Sequence, residues 1–579
     1  MSHIKYIIAI FFLTNTTFSV TSQVIPSSRS TDWKLAGYHG VIPVYPLVKN
    51  ITEFGGSGDG ITSNDLPLQN AITSLAGQNG IIHFPAGTFI FHSPVNLRSG
   101  LVLKGDGPAS TNLSFNLSGT GDLITIAGSV TASVANIISS VFRNESTITV
   151  DNASLFQVND YIKIYQDDDA LVNDVWALQS VGQIIHIENI LQNTITFSNG
   201  LRRNYLIGDA PKIVKLTMAT GVGIECLKIK RLDSTAAQTA NVKFSNAAKC
   251  WIKGVESDSC NFGHIQISNS TNIEVTNSYF HGSFGYGGGG QGYGIACEYT
   301  SGECLIENNI FKHLRHSMLL QSGANGNVFD YNYSIQPFKT ESWPNDLVPD
   351  IVLHGNYPYL NLFEGNIVQN MFADASHSIN GPYNTLFRNR SESYGIVISA
   401  GAGDSIGIVG NEISGSGFGK GSYIMQGNGN FEYGNNKNNT IVPTGTSSLP
   451  DQSFLYSSKP YFWNISSPWP SIGVPNTLNN GTIPAKERFS AGSNLTFCII
   501  LPVAYTFTGN GDWTEAGNWN NNIMPPPILS NGSQIIIDPI AGGRCILNIP
   551  YTVSPGTSLM VMAGKIFLIQ GNLTGASNE

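Results

Sequence analysis

Three acidic residues occupy the same position in a repeated segment of the chain. Glu307, Asp330 and Glu364 each stand two residues before an asparagine and directly after an apolar residue. If these segments are stacked β-strands, the apolar side chains face inward and the carboxylates form an outward column about 4.8 Å apart. Closely spaced carboxylates shift one another's pKa, so such a column suits acid–base catalysis or Ca²⁺ binding. We predict that these three residues are catalytic, and a solvated acidic stripe is the alternative interpretation.

A second group of ionisable residues precedes the same series of asparagines. His354 and His377 each stand twelve residues before an asparagine, whereas His316 and Asp350 each stand sixteen before one. We therefore expect His354 to stack on His377, and His316 to neighbour Asp350. A carboxylate orients a histidine ring and makes it more basic, which suits a general base. His316, Asp350 and His354 are predicted to be catalytic and His377 to bind substrate; alternatively, each histidine hydrogen-bonds a turn.

Four further side chains near these groups could hold a substrate. Arg315 and Arg388 carry guanidinium groups that can bind a carboxylate or sulfate in bidentate fashion. Tyr357 and Trp343 offer flat faces for a sugar ring, and packing of loops is the alternative. The acidic run 167–169 lacks the spacing of an EF-hand, so no metal ligand is predicted there. Ca²⁺ is the one cofactor that the pattern leaves open.

The asparagines define a repeat. They stand at 309, 332, 366, 389 and 411, in steps of 23, 34, 23 and 22 residues, and the residue three before each is apolar. A period of 22–23 residues is one coil of a parallel β-helix, whose rungs bury their apolar faces only when they stack. A second series at 327, 361 and 384 predicts another ladder of side chains. Two loops, 281–294 and 334–350, interrupt the repeat and are expected to border the functional cleft.

The N-terminal motifs resemble those of a known family. Gly58-Asp59-Gly60, a helix around Gln69–Leu75, the segment His83–Thr88 and the strand Leu103–Gly107 are similar to the cap of the pectate-lyase-like superfamily. This resemblance implies an all-β, right-handed parallel β-helix. It also implies a polysaccharide lyase, which commonly pairs Ca²⁺ with an Arg or Lys base, or a polygalacturonase-like hydrolase with an Asp cluster. The chain lacks the Asn-Thr-Asp signature of the hydrolases, so their catalytic residues are not transferred to it.

The sequence divides into five segments. Residues 1–22 have a lysine, a short apolar stretch and small residues before Gln23, which is typical of a secretory signal peptide. We expect the cap and first coils over 23–139, an inserted β module over 140–215, the main β-helix over 216–500 and a β-rich accessory domain over 501–579. In that last domain Trp513 and Trp519 could stack on sugars, although packing in its core is the favoured interpretation.

Composition restricts the class of partner. The 579 residues include 30 Lys and Arg against 39 Asp and Glu, a net charge of −9, which argues against a nucleic-acid partner. No segment is apolar enough to predict a transmembrane helix. The seven cysteines lack zinc spacing and are expected to be buried, with room for one disulfide. We predict an exported carbohydrate-active protein that acts on a polysaccharide, one that contains uronic acid, as a lyase or a hydrolase. The alternative is a non-catalytic glycan-binding or adhesive β-helix.

Overall fold

The chain folds into a right-handed parallel β-helix. The computed structural model describes residues 23–464, 466–492, 495–498, 504–520, 524–525, 533–553 and 557–575. The predicted signal peptide lies outside the described residues. The predicted fold class is confirmed, because successive coils pair in parallel along three faces and the described residues contain only two α-helices, Asp65–Ser74 and Pro484–Ala491. None of the described helices has the length and apolar character needed to span a membrane.

Three faces, which we call the first, second and third, make up each coil. The strands of the first face form one sheet of thirteen: Val48–Asn50, Gly80–Phe84, Leu101–Gly105, Ala219–Thr220, Gly223–Glu225, Ala247–Lys253, Thr271–Thr276, Leu305–Glu307, Val328–Asp330, Leu362–Glu364, Thr385–Phe387, Gly407–Val409 and Phe431–Tyr433. The second face contains Asp59–Ser63, Gly87–Phe91, Thr111–Phe115, Lys228–Arg231, Glu256–Cys260, Tyr279–Ser283, Ile310–Lys312, Tyr333–Ile335, Glu412–Ile413, Asn435–Lys437 and Thr440–Val442. The third face contains Val95–Leu97, Ile124–Ala127, Ala240–Ser245, Gly263–Ser268, Tyr293–Glu298, His316–Leu320, Ile351–Leu353 and Ser422–Met425, and two long strands, Ile367–Ala373 and Arg390–Ile398, bend from the second face into the third.

An antiparallel module interrupts the helix. Its six strands lie between 129 and 217, a wider span than the predicted 140–215: Ser129–Asn136, Thr147–Thr149, Tyr161–Tyr165, Gln183–Leu191, Thr194–Phe197 and Lys212–Thr217. Alternating apolar residues such as Ile162 and Ile164 bury one face of this sheet in a core of its own. Short 3₁₀ helices occur at Ser27–Arg29, Trp33–Leu35, Ile51–Phe54, Ala153–Leu155, Val175–Ala177, Ile207–Asp209 and Ala516–Asn518.

The C-terminal segment forms a second, smaller set of parallel strands. They are Ala504–Phe507, Gly511–Asp512, Gln534–Ile537, Arg544–Leu547, Tyr551–Val553, Ser558–Val561, Ile566–Ile569 and Leu573–Gly575, in three small sheets. Trp513 and Trp519 are buried in the core between these sheets, with ring centroids 4.7 Å apart. They therefore pack the module, as the favoured interpretation of the sequence holds.

Buried asparagines close the turn between the first and second faces. The side-chain N–H of Asn332 donates to Asn366 Oδ1 at 3.0 Å, and that of Asn366 donates to Asn389 Oδ1 at 2.8 Å. The same Oδ1 atoms also accept the backbone N–H of the preceding asparagine. The second series, 327, 361 and 384, forms an equivalent ladder. The predicted repeat is thus confirmed, and the apolar residues three before the first series, such as Phe363, lie in the interior.

A left-handed backbone residue precedes each asparagine of the first ladder. At positions 308, 331, 365, 388, 410 and 434, φ lies between +51° and +67°. Three of these residues are glycines, which adopt this conformation freely, but Asn308, Tyr331 and Arg388 are not. We call this series the corner column. A side chain held there must be stabilised by the contacts that it makes outside the coil.

Removing one asparagine should weaken the whole helix. Asn366→Ala leaves the backbone and side-chain N–H of Asn332 without their acceptor, and deprives the Phe329 carbonyl of its donor, all in a buried turn. We expect the free energy of unfolding in urea to fall by about 2–4 kcal/mol. The control is Asn189→Ala on an exposed strand of the inserted module, which should change it by less than ~0.5 kcal/mol. Equal effects of the two substitutions would show that the ladder does not stabilise the fold.

Candidate functional site

The acidic column stacks as predicted, but it is covered. Strand register places Glu307 beside Asp330 and Asp330 beside Glu364 on successive rungs of the first face. All three are at most 2% exposed, because the described residues between 448 and 498, which we call the strap, lie over them. The backbone N–H of Phe454 donates to Glu364 Oε2 at 2.9 Å, and the Tyr456 hydroxyl donates to Glu307. The prediction that these three residues form an accessible catalytic face is therefore wrong.

The strap runs along the corner column. The indole N–H of Trp469 donates to the Tyr331 hydroxyl at 3.0 Å. Further along, the guanidinium of Arg488 donates to the side chain of Asn308 at 2.8 Å. The left-handed, non-glycine residues of this column thus bind the strap, in addition to the acidic column.

Arg388 makes several hydrogen bonds to the strap. Its guanidinium donates to the backbone carbonyls of Leu449, Asp451, Ile472 and Val474 at 2.8–3.2 Å. Burial lowers the pKa of this guanidinium to about 10. Because these contacts use its N–H groups, the prediction that Arg388 binds substrate is wrong.

Burial raises the pKa values of the three carboxyl groups in the acidic column. Desolvation raises the pKa of Glu364 to about 7 and that of Glu307 to about 8. The pKa of Asp330 lies well above its usual value, because of burial first and then of the two neighbouring carboxyl groups. The column therefore holds protons near neutral pH, which removes the repulsion between like charges under the strap.

A row of three histidines lies on the third face. The ring centroids of His316 and His354 are 5.6 Å apart, and those of His354 and His377 are 5.0 Å apart. The expected neighbourhood of His354 and His377 is therefore observed. His354 Nδ1 lies 2.9 Å from a carboxylate oxygen of Asp374, and His377 Nδ1 lies 3.0 Å from one of Asp174. Asp174 belongs to the inserted module, so the module forms one side of this site.

The expected pairing of His316 with Asp350 is wrong. Register pairs Met318 with Ile351, an offset of 33 rather than 34 residues, so His316 lies opposite Pro349. His316 Nδ1 is 2.9 Å from the Pro349 carbonyl oxygen. Asp350 instead accepts the Ser334 hydroxyl and two backbone N–H groups, at 369 and 370, and burial raises its pKa to about 6. Asp350 is therefore a structural residue inside the coil.

Sequence reasoning missed the residues that surround His354. Register aligns Cys297, Leu320, Leu353 and Ala373, so the residues that directly follow them form a polar row across successive rungs: Glu298, Gln321, His354 and Asp374. Gln321 Nε2 donates to Glu298 Oε2 at 2.6 Å, and burial raises the pKa of Glu298. A search for polar residues at or directly after the ends of third-face strands could have found Glu298, Gln321 and Asp374. No pattern in the sequence points to Asp174, because it lies 203 residues before its partner His377 along the chain.

Arg315 and Tyr293 border the row of histidines. Arg315 Nη1 donates to the Tyr293 hydroxyl at 3.1 Å, and Nη2 forms an ion pair with Glu341 at 2.7 Å. The Nε of Arg315 is buried and has no hydrogen-bond partner, as is also true of His316 Nε2. The Tyr293 ring lies 5.1 Å from that of His316. Arg315 and His316 thus each have one nitrogen without a hydrogen-bond partner.

A groove of about 820 Å³ lies on the third face, and its lining does not include the residues of the polar row. Its floor contains Phe372, which lies two residues before Asp374 and on the same side of the strand. Its walls include Trp343, in the predicted loop 334–350, and Phe418. The Trp343 side chain is 87% exposed. The other lining residues are Phe338, Pro344, Asn345, Asp346, Leu347, Tyr394, Val397, Gly419, Ser422 and Ile424.

Tyr357 lies away from this groove. Its ring is 6.0 Å from that of Tyr359, and the Arg203 guanidinium lies 5.7 Å from its centroid. It packs in the cluster between the inserted module and the helix. The prediction that Tyr357 binds substrate is therefore wrong.

One group of the described residues has the geometry of a metal site. Glu256, Asp258 and His281 place ligand atoms within 4.8 Å of one another on the second face. The Lys228 ammonium lies 2.8 Å from Glu256 and 3.0 Å from Asp258. Because this ammonium already neutralises the two carboxylates, the group is better described as a network of ion pairs than as a Ca²⁺ site.

Comparison with protein families gives a match in the N-terminal part of the chain. Residues 48–200 match a family model described as rhamnogalacturonase A/epimerase, pectate lyase-like. The resemblance to the pectate-lyase-like superfamily of right-handed parallel β-helix proteins, predicted from the sequence, is thereby confirmed. No curated protein matches the chain significantly.

Several solved structures are similar in fold. The tailspike protein gp49 from Pseudomonas phage LKA1 is 14% identical, with a TM-score of 0.47 over 91% of this chain and 79% of the tailspike. A hyperthermoactive exopolygalacturonase from Thermotoga maritima is 10% identical, with a TM-score of 0.33 over 92% of this chain and 93% of the enzyme. PfbA, a surface adhesin of Streptococcus pneumoniae, is 13% identical, with a TM-score of 0.34 over 63% of this chain and 84% of the adhesin. At such identities the likeness concerns the fold alone.

Raising the pH should loosen the strap. The folded protein holds the protons of Glu307 and Glu364 up to about pH 8 and 7, whereas an unfolded chain releases them near pH 4. The stabilisation is therefore complete below about pH 4 and is lost as the pH rises through 7–8. We expect the free energy of unfolding in urea to fall by about 2 kcal/mol or more between pH 6 and pH 9.

Glu364→Gln keeps an acceptor for the Phe454 N–H and removes one titrating group, so this decline should become shallower. Glu188→Gln, on an exposed position of the inserted module, should leave it unchanged. An identical decline in the wild type and in Glu364→Gln would contradict the role assigned to the column.

Proposed function

We propose that the protein is a carbohydrate-active enzyme that binds a polysaccharide in the third-face groove and cleaves it with His354 as the general base. The observation that carries this proposal is the pair of His354 and Asp374 on the same face as an aromatic groove, whose lining residue Phe372 lies two residues before Asp374. Asp374 engages Nδ1 of the histidine, which leaves Nε2 to accept a proton from substrate or water. The pKa of Asp374 is lowered, with the hydrogen bond and charge of His354 outweighing its burial, so its carboxylate is ionised and can stabilise the imidazolium.

His316 provides a second, different nitrogen. A carbonyl oxygen only accepts hydrogen bonds, so Nδ1 facing Pro349 carries the hydrogen and Nε2 is an acceptor. Burial lowers the pKa of His316 well below its usual value, which keeps the ring neutral. We assign its unpartnered Nε2 to a sugar hydroxyl rather than to the reacting proton.

The substrate that we propose carries uronic acid. Arg315 stands beside the histidine row, and we assign its guanidinium to a carboxylate on the sugar, which would replace the exposed Glu341 as its ion-pair partner. The description of the matching family names a rhamnogalacturonase and a pectate-lyase-like fold, which agrees with an acidic polysaccharide. Such a substrate lies outside cells, which agrees with the signal peptide predicted for residues 1–22.

Two reaction types use the same base. In a lyase, His354 would take the proton next to the uronate carboxyl, and the bond to the leaving oxygen would break as a carbon–carbon double bond forms. In a hydrolase, His354 would activate a water molecule instead. The Tyr293 hydroxyl, hydrogen-bonded to Arg315, is the nearest described candidate to return a proton to the leaving oxygen in either case.

A non-catalytic glycan-binding protein is the second candidate. The exposure of Trp343 and Phe418 on the walls of the groove favours it, because both rings are available to stack on sugars without any chemistry.

Loss of the base should abolish turnover. The purified protein is incubated with a panel of acidic polysaccharides, and ultraviolet absorbance and new reducing ends are measured together. His354→Ala should lower turnover by ~10²-fold or more, the size expected for a lost general base. Asp374→Asn should lower it less and shift the acid limb of the pH profile. The control, His92→Ala, removes an exposed histidine of the first coils and should have no effect.

Absorbance together with new ends indicates a lyase, and new ends alone indicate a hydrolase. Binding without either product supports the second candidate. Full activity of His354→Ala on a substrate that the wild type cleaves would place the reaction elsewhere.

Trp343 should contribute to binding rather than to chemistry. Trp343→Ala removes an exposed ring at the groove, so we expect about a tenfold rise in KM or Kd, corresponding to ~1.4 kcal/mol, with little change in kcat. Phe142→Ala, at an exposed aromatic position on the inserted module, is the control. Unchanged KM and Kd in Trp343→Ala would remove the groove from the binding site.

A further inference from the structure

The strap ends at a cysteine that lies against another cysteine of the helix. Cys498 is exposed, whereas Cys226 is buried at the corner that follows the strand Gly223–Glu225. Interaction with the Cys498 thiol, together with burial, raises the pKa of the Cys226 thiol. Neither position was singled out by the catalytic or binding arguments above, and both lie far from the groove in the sequence.

Backbone geometry brings the two sulfurs together. Register pairs Glu225 with Lys253, Lys253 with Thr276 and Thr276 with Glu307, so positions 226, 254 and 277 continue the corner column from 308 towards the N terminus. Cys226 and Gly254 are therefore neighbours on adjacent rungs, about 4.8 Å apart. Both have a left-handed backbone, with φ of +54° and +61°. A Cβ at Gly254 would stand 2.9 Å from Cys498 Sγ, so the glycine leaves the space that this sulfur fills. Cys498 therefore lies against the rung next to that of Cys226.

The surrounding contacts fix Cys498 in this place. Its thiol donates to the Gly254 carbonyl at 3.5 Å, and the backbone N–H of Phe497 donates to the Asn277 carbonyl at 2.9 Å. Asn277 is the next member of the corner column, so the end of the strap docks on three successive rungs. Non-covalent contacts alone therefore hold this part of the strap against the helix.

We propose that Cys226 and Cys498 are a modification site, at which a disulfide fastens the end of the strap to the helix under oxidising conditions. The exposed Cys498 thiolate attacks a low-molecular-weight disulfide and releases one small thiol. Cys226 then attacks the resulting mixed disulfide and releases the second. The two protein thiols thus lose two protons and two electrons, and the small disulfide is reduced to two thiols.

The other described cysteines are not equivalent. Cys297 and Cys304 also contact one another, but both are fully buried in the interior of the coil, where a small disulfide cannot reach them. Cys250, Cys260 and Cys545 are buried as well. Only the pair at the end of the strap combines contact with an exposed sulfur.

The test uses the full-length protein under native conditions. It is incubated with oxidised glutathione, the remaining thiols are blocked with N-ethylmaleimide, and the unreduced protein is digested for mass spectrometry. We expect one cross-linked peptide pair that joins Cys226 to Cys498, and titration should find two fewer free thiols. Cys498→Ser and Cys226→Ser should each abolish the cross-link. Stable glutathione on Cys498 without the cross-link, or a link between Cys297 and Cys304 instead, would overturn the proposal.

A second measurement reports on the strap itself. At pH 9, limited proteolysis between residues 448 and 498 should be slowed at least severalfold by oxidation of the wild type, and should return to the original rate with dithiothreitol. Cys498→Ser lies at the exposed end of the strap and should show no response to the oxidant. Equal proteolysis of oxidised and reduced wild type would show that the bond does not fasten the strap. Neither readout depends on polysaccharide cleavage.

Discussion

Each coil of this protein must turn from the first face to the second while burying the backbone of that turn. The turn needs a left-handed residue, and it leaves N–H and carbonyl groups away from water. The asparagine that follows satisfies them, because its oxygen accepts from the previous rung while its N–H groups donate to a carbonyl and to the next asparagine. Every rung therefore depends on its neighbours at this corner, and the rest of the molecule is organised around it.

The same corner explains why the acidic column is buried. Glycine at the left-handed position would present nothing to the outside, but Tyr331 and Arg388 project from it and bind the strap. With the strap in place, Glu307, Asp330 and Glu364 lose their water, and their pKa values rise until protonation removes the repulsion. The first face is thus a structural face, and the site that we propose lies on the third.

On the third face the chain brings distant segments to one place. His354 and Asp374 come from adjacent rungs, whereas Asp174 reaches His377 from the inserted module, and Trp343 reaches the groove from an insertion loop. A β-helix supplies a flat, rigid row of side chains, and insertions supply the walls. This division accounts for a largely apolar groove and a row of polar side chains on one face.

The sequence by itself determined the period of the helix, the inward position of residues such as Phe363 and the stacking of the asparagine ladder. These features depend on contacts between equivalent positions of neighbouring rungs, which counting along the chain can locate. Counting along the chain also predicted that His354 and His377 are neighbours. Only the tertiary structure decided which face is open, because the strap that covers Glu364 lies some ninety residues away and carries no repeat. It likewise decided the partners of the histidines. The register differs by one residue from the one counted along the sequence, so His316 does not lie beside Asp350. Asp174 belongs to the inserted module, whose position against the helix cannot be predicted from the repeat.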